Sequence, residues 1–183
     1  MKILFVGRLV DFKDPITFIK AACFLSDNKG KALHQFIIAG DGKLMKTCQG
    51  LARGHDNIHF LGWVKQEVVN DLMSQTDIFC QLSPYENIWA TTLISAMKNK
   101  KAIVCTDVGY TSTYLKHDYH AILILPKDYA GLANAIDKLS NDSELRRMLG
   151  ENTFSFVQEN LSVEKIAGEV RRLLTYAKEQ WNS

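Results

Sequence analysis

Apolar residues in this chain come in short unbroken runs, at 3–6, 36–39, 58–61, 78–82, 102–105 and 121–125. Hydrophobicity does not alternate within them. A strand with one face in water alternates; a strand covered on both faces reads as a continuous apolar run, and such strands belong to parallel sheets sandwiched between helices. The stretches between the runs have helix length and helix signals. Asp14-Pro15 opens the first, with Asp as N-cap and Pro at the first helical position. Ile16, Ile19, Cys23 and Phe24 then return at helical spacing. Residues 44–52, 68–73, 93–97 and 112–115 supply the next crossovers.

Past the last run the chain turns helical. Leu132, Ala135, Ile136 and Leu139 share one face of 128–139, and Asn141 or Asp142 caps the next helix, with Glu144 in its first turn. Gly150 costs that helix about 1 kcal/mol without ending it. Ser162 caps a final helix, about 162–180, whose stripe is Ile166, Val170, Leu173, Leu174 and Ala177. The expectation is an α/β fold: one domain over 1–183, with a Rossmann-like, doubly wound, six-stranded parallel sheet flanked by helices and extra C-terminal helices. Right-handed crossovers put every strand's carboxyl end on one rim, where open parallel sheets bind ligands.

Composition narrows the function. A chain of 183 residues with 46% hydrophobic content suits one ordinary core. A net charge of +2 with scattered lysines and arginines argues against nucleic acid as a partner. Cys23, Cys48, Cys80 and Cys105 lie far apart without Cys-x-x-Cys, so they read as packing residues rather than zinc ligands or disulfides. No apolar segment approaches the ~20 residues of a membrane span, and the first residues read as a strand rather than a signal peptide. A cytoplasmic domain is expected. No histidine has metal-ligand or triad spacing to a partner, and no Gly-x-Ser-x-Gly elbow follows a strand.

The rim loops then hold the candidate chemistry. Gly7, Arg8 and Lys13 follow the first strand, Gly40, Asp41 and Gly42 the second, and Trp63 and Val64 the third. Glu86 and Asn87 follow the fourth, ahead of Thr91, Thr92 and Ser95 at a helix start. Arg offers a planar fork of donors for phosphate oxygens and Lys a mobile point charge, while helix-start amides favour anions. Each also has a plainer reading: Arg8 and Lys13 as solvated loop cations, Gly40 and Gly42 as simple turns, Trp63 as a core cap, Glu86 as a surface carboxylate. Their convergence on one rim favours a site for a hydroxylated, anionic ligand.

In order along nearly the whole chain stand Ile3-Leu-Phe-Val-Gly-Arg-Leu-Val10 with Lys13, Ile38-Ala-Gly-Asp-Gly42 and Ile58-His-Phe-Leu-Gly-Trp63. Asp77-Ile-Phe with Ser83-Pro-Tyr-Glu86, Ala96-Met97, Thr106-Asp-Val-Gly109, Asp142-Ser-Glu-Leu145 and Leu161-Ser-Val-Glu164 complete the set. This ordered set resembles the C-terminal, donor-binding half of group 1 (family 4) retaining glycosyltransferases of the GT-B fold. The resemblance implies transfer of a sugar from a nucleotide-diphosphate sugar to a glycan or lipid-linked acceptor, without metal or cofactor. Arg8 and Lys13 would neutralise the departing diphosphate, and Glu86 would contact the donor sugar. Gly40, Asp41 and Gly42 with Trp63 and Val64 would line the nucleobase pocket, and amides near Ala90 to Thr92 would face the phosphates. It also implies an N-terminal half for the acceptor, contact of the final helix with that half, and possible peripheral association of the full-length protein with a membrane.

The chain departs from the family pattern in the Glu-x7-Glu motif. The second glutamate, which would bind ribose hydroxyls, is Ser95 here, one position further from Glu86 than the motif allows; this implies an insertion near Ile88 or Trp89. Asn87-Ile88-Trp89 stands for Gly-Phe-Gly, Tyr110 for a glycine, and Ala102 for a common proline. Two alternatives follow: a non-catalytic half that docks with a partner subunit, and, lacking the glycine fingerprint, a nicotinamide-dependent oxidoreductase.

Overall fold

The computed structural model describes residues 1–183 except 30–32, 86–89 and 182–183. Strands β1 (Lys2–Val6), β2 (Gln35–Ala39), β3 (Ile58–Gly62), β4 (Ile78–Gln81), β5 (Ala102–Thr106) and β6 (Ile122–Ile124) form one sheet in the order β3-β2-β1-β4-β5-β6. Every pairing is parallel. Helices α1 (Pro15–Lys29), α2 (Met45–Leu51), α3 (Gln66–Gln75), α4 (Thr91–Lys98) and α5 (Thr111–Tyr114) make the crossovers. Helices α6 (Tyr129–Asn141), α7 (Ser143–Asn160) and α8 (Val163–Trp181) follow the sheet. This is the Rossmann-like, doubly wound architecture the apolar runs predict.

The unbroken runs work because successive side chains enter different cores. Ile3 and Phe5 of β1 pack with Phe18, Phe36 and Leu132, while Leu4 packs with Phe79, Leu93 and Val157 on the other face. Strand β3 is the exception to burial on both faces. It lies at the sheet edge and alternates, with His59 and Leu61 exposed, and its register with β2 shifts between Ile38 and Ala39. An edge strand needs only one apolar face.

Two helical readings are refined. In α1 the core takes Phe18, Ile19, Ala22 and Leu25, whereas Phe24 stays 42% exposed against the ring of Tyr129. The sheet-facing stripe is rotated away from the one the spacing suggested. Helix α7 does run through Gly150, but the glycine has a packing cause: a Cβ there would lie 2.1 Å from the Lys100 carbonyl oxygen. Asp142, not Asn141, caps α7 through the Leu145 N–H at 2.8 Å. Ser162 caps α8 through Lys165 N–H at 3.3 Å.

Candidate functional site

The chain winds outward from β1 to β3, returns, and continues on the other side from β4. The loops after β1 and β4 therefore diverge, and the crevice opens between them. On one wall the ladder continues past the strand ends. Gly7 N–H donates to Ala39 O at 3.0 Å, Leu9 N–H to Asp41 O at 2.9 Å, and Gly40 N–H to Gly62 O at 2.8 Å. Leu44 N–H returns to Leu9 O at 2.9 Å, with the Leu9 side chain fully buried. This close approach requires the glycines. A Cβ on Gly40 (φ 149°) would stand 1.9 Å from Gly7 O, and one on Gly42 would stand 2.6 Å from Leu9 O. They do more than turn the chain: they let two rim loops run side by side.

Stitching Gly7 and Leu9 to the neighbouring loop leaves Arg8 between them, exposed to the crevice. A short 3-10 turn over Asp11–Lys13 then bends the chain back into α1. Asp14 sits in the left-handed region (φ 49°) and caps α1, its carboxylate accepting from Thr17 Oγ1 at 2.7 Å and Thr17 N at 3.3 Å. The turn presents Phe12 as a shared platform, with the Arg8 guanidinium carbon 4.9 Å and the Lys13 ammonium 5.5 Å from its ring centroid. Among the described residues neither cation forms an ion pair. Burial first, and the Arg8 charge second, hold the Lys13 ammonium below the usual lysine range. An anion placed beside both cations would offset the two penalties by attraction. Nearby, Asp11 pairs with Lys43, which lowers the Asp11 pKa and ties this turn to the β2 loop.

Below Arg8 lies a cleft of about 360 Å³, walled by Val6, Gly7, Ala39, Gly40 and Asp41 and closed by Trp63, Val64 and Val69. Trp63 is 74% exposed, so it is not a core cap; its ring is open to a planar ligand. Sequence reasoning thus found Gly7, Arg8, Gly40, Asp41, Trp63 and Val64 in one cleft. It missed Val69, the buried residue of α3 that forms the apolar wall, and Phe12; the α3 stripe could have supplied the former.

The opposite wall is α4. Thr91, Thr92 and Ser95 lie on its first two turns but do not line the cleft under Arg8. Ala90 stands at the N-cap, and the Thr92 hydroxyl donates to Gln81 Oε1 at 3.1 Å. Glu86 and Asn87 lie outside the described residues. A second concavity, of about 290 Å³, opens beyond the Asp11–Lys13 turn between Asp14, Lys20, Tyr85 and Lys127. The histidines sit elsewhere: His117 and His120 accept backbone N–H bonds from Leu123 and Lys116, both at 3.0 Å. Cys80 and Cys105 are buried, and burial pushes the Cys105 thiol up to about 12.

A doubly wound parallel sheet with two neighbouring cations above an apolar cleft at its switch point places the chain among Rossmann-like folds. Comparison with known proteins gives the family: the model for glycosyl transferases group 1 matches residues 1–156. The chain belongs to that family. The uncharacterized glycosyltransferase MJ1069 of Methanocaldococcus jannaschii is 29% identical over 176 residues, 94% of this chain and 44% of the relative. Alpha-D-kanosaminyltransferase of Streptomyces kanamyceticus is 28% identical over 153 residues, 82% of this chain and 39% of the relative. The chain thus spans under half the length of these curated relatives.

Among solved structures, Anabaena Alr3699/HepE in complex with UDP superposes with a TM-score of 0.83 at 18% identity, covering 96% of this chain and 48% of that one. The C-terminal domain of the group 1 glycosyl transferase LpcC from Francisella tularensis gives 0.76 at 22% identity, covering 88% and 86%. At these identities the likeness shows the fold, one half of GT-B. No helix among the described residues is long and apolar enough to cross a membrane.

Proposed function

We propose that this chain is the donor-binding domain of a retaining, metal-independent glycosyltransferase of hexosyl type. The observation that carries the reading is the pair Arg8 and Lys13, gathered on Phe12 without an ion pair among the described residues, above an apolar cleft open at Trp63. The nucleobase of a nucleoside diphosphate sugar enters the cleft against Trp63 and Val64, beside Gly40, Asp41 and Gly42. Its diphosphate lies between the two cations and the α4 start, with Thr91, Thr92 and Ser95 nearby; the roles of Glu86 and Asn87 towards the donor sugar rest on the family resemblance alone. As the bond from sugar to phosphate breaks, negative charge grows on the diphosphate, and the fixed cations stabilise it there in place of a metal. The glycan or lipid-linked acceptor is held by a half of the fold beyond this chain, so the isolated chain does not turn over. The outward stripe of α8 packs towards that half, and the whole enzyme works in the cytoplasm, peripherally at the membrane face.

Amide-resolved NMR titration with UDP and with GDP tests this: one of them shifts Gly7, Arg8, Lys13 and Trp63. Replacing both cations (Arg8→Ala with Lys13→Ala) weakens binding by at least about 100-fold, since charged hydrogen bonds contribute about 1.5–3 kcal/mol each. A flat titration at millimolar ligand with folded protein would rule the reading out. One departure favours a second reading. Ser95 stands in place of the ribose-binding carboxylate, as expected of a non-catalytic half that docks with a partner. Activity in the assembled protein that survives the double cation variant would establish that reading instead.

A further inference from the structure

Strand β4 is buried along its whole length, and it ends on a glutamine only 3% exposed. A primary amide in such a place must find hydrogen-bond partners, and an aliphatic side chain would fill the space without that demand. Phe79, two residues earlier on the same face, packs with Leu93, Ala96 and Met97 of α4. Gln81 is therefore under the first turn of that helix, where its Oε1 accepts the Thr92 hydroxyl at 3.1 Å. The helix start gives this bond its weight. The N-cap residue is Ala90, whose methyl group cannot accept from the first-turn amides, and no side-chain cap bond is formed there.

We infer that Gln81 is a positioning residue for ligand binding at the α4 wall, an inference that rests on the donor-site reading above. The bond fixes the first turn to the sheet from beneath, in place of a cap. It also commits the single Thr92 hydroxyl proton inward, so the oxygen turns its lone pairs outward as an acceptor for a ligand hydroxyl. Thr92 lies three residues before Ser95, on the same helix face. A nucleoside's ribose hydroxyls are the chemical class this acceptor serves, one turn from the position where Ser95 offers no carboxylate.

The test is calorimetric titration of UDP and of GDP into the wild-type chain and into Gln81→Met, Thr92→Val, the two combined, and Thr92→Ser. Methionine fills the glutamine's volume without the hydrogen bond, and serine keeps the hydroxyl. The expected result is a five- to tenfold weaker Kd, roughly the effect of one hydrogen bond, for Gln81→Met and Thr92→Val alike. The combined variant is no weaker than either, Thr92→Ser binds as wild type, and unfolding midpoints stay together. Additive losses, or a Gln81→Met variant that binds as wild type, would overturn the inference alone. A wild-type chain that binds neither nucleotide overturns the donor-site reading with it. Should Gln81→Met not fold, the difference between Thr92→Val and Thr92→Ser decides.

Discussion

The two halves of the sheet hold their loops by different means. From β1 to β3 the rim is stitched by backbone hydrogen bonds through Gly7, Leu9, Gly40 and Leu44, and the glycines make the approach possible. From β4 to β6 one such bond remains among the described residues, Asp107 N–H to Ile124 O at 2.8 Å, and side chains make other described anchors. The Thr106 hydroxyl donates to Ser83 O, Thr92 to Gln81, and Thr111 Oγ1 to Val108 O at 2.6 Å. His117 and His120 accept at the approach to β6. A wall built of backbone is insensitive to most side chains but intolerant at its glycines. A wall held by side chains can be retuned residue by residue. The departures that the resemblance implies (Ser95, Tyr110, Ala102) all fall in the second half.

The sharpest way to break the comparison is Gly40→Ala. Its new methyl would meet a backbone oxygen at 1.9 Å, and no rotamer change can relieve that. The cost is on the order of 3 kcal/mol or more. Gly50→Ala, on α2 with nothing within 4 Å, is the control. There a helical glycine is lost and stability rises by about 0.4–1 kcal/mol. Urea unfolding of both variants measures the contrast, and equal effects would mean the stitched wall is not constrained as described.

On the other wall the expected effect is smaller and opposite in sign. Ser95→Glu returns a carboxylate to a half-buried position on α4. If a nucleoside diphosphate binds there, the variant tightens it by about 1.5 kcal/mol, the lower range for a charged hydrogen bond. Unchanged or weaker affinity in titration would show that a carboxylate at this point of α4 does not reach the ribose.

Protonation probes the side-chain anchors next. His120 is buried, accepts Lys116 N–H at Nδ1, and has its pKa lowered by burial and then by the Lys116 charge. His34, buried beside the Phe36 ring, is lowered mainly by burial. A depressed histidine contributes stability that is complete above its unfolded pKa, about 6.5, and is lost as pH falls towards the folded pKa. Stability should therefore hold near pH 7.5 and decline below about 6.5, by at most about 1.4 kcal/mol per pH unit for each histidine. Thermal unfolding across pH 5–8 reads this, and His120→Gln, which keeps an acceptor, flattens the slope.

What was legible in the sequence follows the same division. Continuous apolar runs revealed the strands because burial on both faces favours an apolar residue at nearly every position, and Asp14-Pro15 marked α1 because capping is local. Arg8, Lys13, Trp63 and Val64 were legible as loop residues after strands, since a parallel sheet puts all those loops on one rim. The steric need for Gly40 was not, because the atom it avoids is on Gly7, more than thirty residues away. Nor was the Phe12 platform, which depends on the turn at Asp11–Lys13, nor the bond of Gln81 to Thr92, which depends on where α4 lies. Contacts across the sheet are where one-dimensional patterns lose their hold.

The smallest expected effect is at the chain's end and tests the plainest difference of all, between helices that belong to this core and one that does not. Leu139 of α6 and Leu149 of α7 are fully buried, whereas Leu173 and Leu174 of α8 are 68% and 66% exposed. An exposed leucine gives up little apolar area on mutation, so Leu173→Ser with Leu174→Ser should change stability by no more than about 0.5 kcal/mol. Leu149→Ala leaves a cavity and should cost about 2–5 kcal/mol. If the paired α8 variant destabilises this chain by as much as Leu149→Ala does, α8 packs on its own domain in solution. If stability is unchanged while association with the acceptor-binding half that the proposal invokes is lost, the stripe is an interface.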